Sequence, residues 1–77
     1  MLKPYAVFLN AHGECVYERE VSIQLQVMKE KFPLEAQETD FIEDKICSDI
    51  YNEIYYEFEM DGEPIEMYYI EYRETAE

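Results

Sequence analysis

Residues 55–74 read YYEFEMDGEPIEMYYIEYRE, and the assignment of this stretch decides how many strands the chain forms. Acids and tyrosines interleave along it, with seven of the twenty residues Asp or Glu and Arg73 the single cation. Asp61-Gly62 at its centre is a favoured dipeptide for a two-residue type I′ turn, in which both central residues take positive φ. A hairpin folded there pairs residues whose numbers sum to 123. Phe58 then faces Ile65, Tyr56 faces Met67 and Ile54 faces Tyr69, a continuous apolar row suited to a core. The opposite face collects Glu57 against Glu66, Tyr55 against Tyr68, and Glu59 beside Pro64, with Ile70 and Tyr72 beyond. Like charges directly opposed across strands destabilise the pair, and no neighbour in sequence compensates Glu57 and Glu66. Charge on an edge hairpin can protect against aggregation, although Lys is the more usual residue there. The other explanation is a recognition face, because local rules broken without compensation mark functional sites.

Upstream, TDFIEDKICSDIYNEI carries Ile42, Ile46, Ile50 and Ile54 four apart, the spacing of one helical face. Thr39 or Asp40 followed by Glu43 resembles a capping box at its start. The other face of this helix holds Asp40, Asp44, Ser48 and Asp49, opposed by Lys45 alone. SIQLQVMKEKF, residues 22–32, carries two periods at once: Val21, Ile23, Leu25 and Val27 alternate as in a strand, whereas Leu25, Met28 and Phe32 fit a helix. Ser22 as N-cap and Pro33 as a stop favour a short helix. Residues 4–10 and 14–21 are β-rich runs joined by Ala11-His12-Gly13, with Gly13 able to supply the left-handed position of a three-residue hairpin loop. In that register Val7, Leu9, Cys15 and Tyr17 share one face, and Phe8 and Val16 the other. The expected fold is α+β, a small antiparallel sheet from two β-hairpins with one or two helices between them, ββααββ or ββαββ. It forms one domain over residues 1–77, with a hairpin at 4–21, a helical region at 22–54 and an acidic hairpin at 54–73.

A chain of this length buries only roughly 60% of its unfolded surface, so its core is small. Its net charge of −13 adds self-repulsion beyond what solubility requires. Disorder is excluded by an apolar fraction of 48% with eight tyrosines and four phenylalanines. No apolar run approaches the roughly 18 residues of a membrane span, and MLKPYAVFLNAHGE has neither a long apolar core nor a cleavage site. These features predict a soluble cytoplasmic protein, in the host cytoplasm if phage-encoded. Cys15 and Cys47 match neither a metal spacing nor a disulfide-dense scaffold, which predicts reduced thiols.

The charge is unevenly placed. Residues 1–33 hold Lys3, Arg19, Lys29 and Lys31 against Glu14, Glu18, Glu20 and Glu30, whereas residues 34–77 hold only Lys45 and Arg73 against fifteen acids. Such asymmetry within one domain points to an interaction surface. No motif points to catalysis: His12 sits in a turn with no nucleophile at motif spacing, and the many carboxylates carry no specificity for acid–base work. DFIEDKICSD and EMDGEPIE lack the ligand spacing of a calcium loop, and two glycines cannot build a phosphate cradle. An enzyme, a cofactor and a metal are therefore not expected.

The charge repels DNA and RNA directly, and the same physics attracts the proteins that bind them. Acids two apart on a strand or three to four apart on a helix stand about 5–7 Å apart, comparable with the step between phosphates along a nucleic-acid strand. Glu57, Glu59, Glu66 and Glu71, with Asp40, Glu43 and Asp44, are the candidate partner-binding acids. Tyr55, Tyr68 and Tyr72 add flat rings on which arginine packs well.

In size, charge and the interleaving of acids with aromatics, the C-terminal 44 residues resemble the small acidic DNA-mimic proteins, such as phage anti-restriction and anti-CRISPR inhibitors and uracil-glycosylase inhibitors. The resemblance implies a non-enzymatic inhibitor that competes for the DNA- or RNA-binding surface of a host defence protein. Its partner is then a basic nucleic-acid-binding protein or complex, with no nucleic acid or membrane bound directly, and a homodimer that pairs the free sheet edge and extends the acidic surface is compatible with this reading. Two other readings fit the same residues. One is an immunity or antitoxin-type protein capping a basic toxin; the other is a structural adaptor that forms a homodimer through Tyr55, Tyr68 and Tyr72.

Overall fold

The computed structural model describes residues 1–60 and 62–75, with Thr39 described by its backbone. Strands β1 (Leu2–Leu9) and β2 (Cys15–Glu20) form the expected first hairpin. Gly13 takes φ 77°, as its position in the loop requires. Asn10 organises the turn. Its side chain is part of a residue only 5% exposed, and its Oδ1 accepts from the N–H groups of His12 and Glu14 at 2.9 and 3.0 Å. Its Nδ2 donates to the carboxylates of Glu14 and Glu63, so the buried amide has partners at both ends.

The faces of this hairpin differ from the expected ones. Phe8 pairs with Tyr17 but Leu9 pairs with Cys15, so Val16 is an extra residue, a β-bulge. Because side chains alternate with period two, one inserted residue exchanges the faces beyond it. Tyr17 therefore lies with Phe8, ring centroids 5.8 Å apart, instead of with Val7 and Leu9.

Helix α1 (Ser22–Lys31) settles the ambiguous segment as helical. Val21, not Ser22, occupies the N-cap, donating its N–H to the Pro4 carbonyl and accepting from Leu25 N–H at 2.8 Å. Strand-like alternation fails because Leu25 is buried while Ile23 is 76% exposed. A short 3₁₀ turn (Glu35–Gln37) leads into helix α2 (Thr39–Glu59).

Here the structure departs most from expectation, since α2 continues five residues past Ile54. Ile42, Ile46, Ile50 and Ile54 are all buried, and Phe58 extends their row by one more turn, half-buried with its ring 6.0 Å from Tyr17. A hairpin would have turned Tyr56 into the core, yet Tyr56 is 73% exposed. The four-residue row thus prevails over the two-residue alternation. Residues 54–59 form no strand, the second hairpin is not made, and Glu57 does not face Glu66. The expected Asp61-Gly62 turn includes Asp61, which lies outside the described residues. Glu38, not Thr39 or Asp40, is the N-cap of α2, and it makes no side-chain cap hydrogen bond among the described residues.

Strand β3 (Met67–Glu74) pairs antiparallel with β1, from Leu9↔Met67 to Leu2↔Glu74, on the side opposite β2. The fold is α+β, a three-stranded antiparallel sheet of order β2-β1-β3 with two helices, in the sequence ββααβ instead of ββααββ or ββαββ. Ala6, Phe8, Tyr17, Tyr68 and Ile70 face the helices and pack with Val21, Leu25, Ile42, Ile46, Cys47, Ile50 and Ile54. The outer face of the sheet carries Arg73, whose guanidinium lies 4.7 Å from the centre of the Tyr5 ring and bonds Glu18 at 2.8 Å. No helix among the described residues is long and apolar enough to cross a membrane.

Replacing the Asn10 side chain tests the turn. Asn10→Ala should lower the free energy of unfolding by about 2 kcal/mol, through lost hydrogen bonds and the carboxylates they served. Asn10→Asp should lower it further, because it sets a third carboxylate beside Glu14 and Glu63. Urea denaturation checks both, and an unchanged midpoint in either variant rejects the role.

Candidate functional site

Burial of the isoleucine row fixes the rotation of α2 about its own axis. The neighbouring row, Asp40, Glu43, Asp44 and Cys47 at i, i+3, i+4 and i+7, is thereby set along the flank of the helix beside β3. Between this row and Tyr68, Tyr69 and Ile70 runs a groove of about 470 Å³. Cys47, buried, lies at its base with half-buried Tyr68 and Ile70, and the carboxylates of exposed Asp40 and Asp44 stand at its rim.

The electrostatics of the groove follow from acids gathered without compensation. Among the described residues no cation forms an ion pair with Asp40, Glu43 or Asp44. Partial burial raises the Glu43 carboxyl above its usual pKa, and the charge of Asp40 adds to the rise while Lys29 opposes it. Burial raises the Tyr72 hydroxyl too, with Glu43 contributing, which places Tyr72 within electrostatic reach of the groove. The Cys47 thiol is pushed up to about 11 by burial, then by Asp44 and Glu43. A thiol held protonated at neutral pH is a poor nucleophile.

Of the ten expected partner-binding residues, Asp40, Glu43, Asp44 and Tyr68 line this groove, Tyr72 follows on β3 within electrostatic reach of Glu43, and the rest lie elsewhere. Glu57 is exposed on α2, roughly 20 Å along the helix from Asp44. Glu59 instead supports the fold. It accepts from the Tyr51 hydroxyl at 2.9 Å and from the Ile65 N–H at 3.2 Å, tying the chain that leaves α2 back to the helix. The hydrogen bond to Glu59, with burial, pushes the Tyr51 hydroxyl up to about 12. Glu66 precedes β3, its N–H bonded to the Leu9 carbonyl at 2.9 Å. Glu71 lies on the outer sheet face and is paired with Arg73. Tyr55 packs edge-on between Tyr51 and Tyr56 on α2, and Tyr51 stands between it and Tyr68, its ring 5.8 Å from Tyr55 and 6.1 Å from Tyr68.

Cys47, Tyr69 and Ile70 line the groove without having been expected there. The row from Asp40 to Cys47 is legible in helical spacing. Its juxtaposition with β3 is not, because it depends on the pairing of β3 with β1. A second, smaller groove of about 190 Å³ between the helices holds Arg19, but Glu53 bonds its guanidinium at 3.0 Å and the Tyr17 hydroxyl accepts from it as well. Among the described residues no group of three or more His, Cys, Asp or Glu is arranged to hold a metal.

No family model, no curated protein and no solved structure matches this chain.

Two measurements test the electrostatics. A carboxyl whose folded pKa is raised binds its proton more tightly in the native state, so its contribution to stability declines as pH rises above the ordinary carboxylate range. Glu43→Gln should therefore raise the melting temperature at neutral pH by a few degrees, with the gain shrinking toward pH 4; no gain at neutral pH contradicts the assignment. In the native protein, iodoacetamide at neutral pH should label exposed Cys15 and leave Cys47 unlabelled until urea unfolds the chain. Equal labelling of both thiols in the native state contradicts the burial of Cys47.

Proposed function

We propose that the protein is a non-enzymatic acidic inhibitor that occupies the DNA- or RNA-binding surface of a basic host defence protein, in the manner of anti-restriction or anti-CRISPR inhibitors. The observation that carries this reading is where uncompensated charge remains after folding. Arg73 is held by Glu18 and Glu71, Arg19 by Glu53, and Lys45 by Asp49. Asp40, Glu43, Asp44 and Glu57 keep no such partner among the described residues, and all four project from one helix of 21 residues, about 31 Å long.

Acids fixed on a helix differ from acids on a floppy tail. Their spacing, about 5–6 Å between neighbours a turn apart, is set before the partner arrives, so little ordering entropy is lost on binding. Their summed field speeds encounter with a basic groove. Exposed Tyr55 and Tyr56 near the C-terminal end of α2 supply rings for arginine, which stacks on aromatic faces.

Release of labelled duplex DNA from purified restriction and RNA-guided nucleases, followed by fluorescence anisotropy, tests the proposal. The protein should displace DNA, and its apparent affinity should drop at least tenfold between about 50 and 200 mM salt. Asp40→Lys with Asp44→Lys should abolish displacement, whereas Glu71→Gln should leave it nearly unchanged. Failure to displace DNA from either class of nuclease, or displacement that survives the double substitution, rules the proposal out.

A further inference from the structure

We infer that the groove between α2 and β3 docks an extended basic segment of the partner, which adds to the free edge of β3 as a fourth strand. This rests on the reading that the protein meets a basic partner, and it specifies the backbone and side-chain chemistry of the contact.

The parity of the hydrogen bonds identifies the available edge. Val21 N–H bonds the Pro4 carbonyl at 2.9 Å, so the even-numbered residues of β1 direct their backbone groups toward β2. Thr75 N–H bonds the Met1 carbonyl at 3.0 Å, so the odd-numbered residues of β1 serve β3. Carried along the antiparallel register, this pattern engages residues 69, 71 and 73 with β1 and turns the N–H and C=O groups of Tyr68, Ile70 and Tyr72 outward. No strand among the described residues covers them, because β3 ends the sheet order. The groove opens along this same edge, lined by Tyr68, Tyr69 and Ile70.

The edge provides the site and the charge selects its occupant. Side chains of an added strand alternate between the two sheet faces, with about 6.6 Å between residues on one face. Those on the helix side come to Asp40, Glu43 and Asp44, which favours Lys or Arg. Those on the other side come beside Met67 and Tyr69, both exposed, which favours apolar residues. A segment alternating basic and apolar residues satisfies both faces. A second copy of this chain does not, because pairing β3 with β3 brings two sets of these acids together in chains that each carry a net charge of −13. Strand addition of this kind draws affinity from main-chain hydrogen bonds and selectivity from alternate side chains.

A synthetic peptide alternating Lys and Val, titrated into isotope-labelled protein, tests the inference by NMR. The amide signals of Tyr68, Ile70 and Tyr72 should shift and their hydrogen exchange should slow. Methylating alternate backbone nitrogens of the peptide keeps its charge and blocks edge pairing, and should weaken binding by about tenfold or more. Asp40→Asn with Asp44→Asn, which relieves repulsion and so preserves the fold, should also weaken it. Equal binding of methylated and unmethylated peptides overturns strand addition, as does the absence of binding by both. DNA displacement from nucleases without peptide binding removes this inference and keeps the inhibitor reading; peptide binding at the edge without displacement does the reverse.

Discussion

The arrangement of this protein depends on one packing interaction, the burial of the row Ile42, Ile46, Ile50 and Ile54 beneath the sheet. Each such side chain contributes on the order of 2–3 kcal/mol when fully removed from water, and in so small a domain the four together outweigh any local preference of the backbone. The row sets the rotation of α2, and rotation decides which residues meet the sheet, which meet solvent and which meet the edge of β3. Phe58 extends the same contact and holds the C-terminal turn in helical form. Acids on α2 are placed as a by-product of this hydrophobic choice, yet the result is an ordered line of carboxylates.

Sequence periodicity was informative where it was long and uncontested. The isoleucine spacing identified the centre of α2, and Gly13 identified the loop of the first hairpin. It misled where two periods overlapped. Tyr56 and Phe58 alternate as in a strand, but Phe58 also stands four residues after Ile54, and only the tertiary contact with Tyr17 shows which relation is used. The bulge at Val16 is likewise invisible in the pattern, because both Val16 and Tyr17 are acceptable on a core face. Several of the expected contact residues lie apart from the groove for a related reason. Their grouping assumed a Glu57–Glu66 pairing that the helix removes, while Asp40, Glu43 and Asp44 depended on helical spacing alone and remained together.

Charge and stability pull against each other at the groove. Glu43 is partly buried beside Asp40, and its raised proton affinity means that the folded chain holds the ionised form at a disadvantage. Nothing in the packing of the core requires that carboxylate. By contrast, acids of the sheet are absorbed into pairs, Glu18 and Glu71 with Arg73 and Glu74 with the N-terminal amine, and Glu53 of α2 clasps Arg19. The molecule thus has acids held in ion pairs or hydrogen bonds and acids with no ion-pair partner among the described residues, and Asp40, Glu43 and Asp44 of the second kind meet at the groove.

The position of β1 has a consequence for how the chain comes to be folded. It is the central strand, yet its partner β3 follows it only after α1 and α2, and even their nearest paired residues, Leu9 and Met67, are separated by 58 positions. Non-local pairing of this sort is slow, and a chain emerging from the ribosome exposes an unpaired β1 edge throughout the synthesis of both helices. Like chains in that state would pair edge to edge were they neutral. The carboxylates of α2 precede β3 in the chain, and like charge on neighbouring copies opposes such pairing.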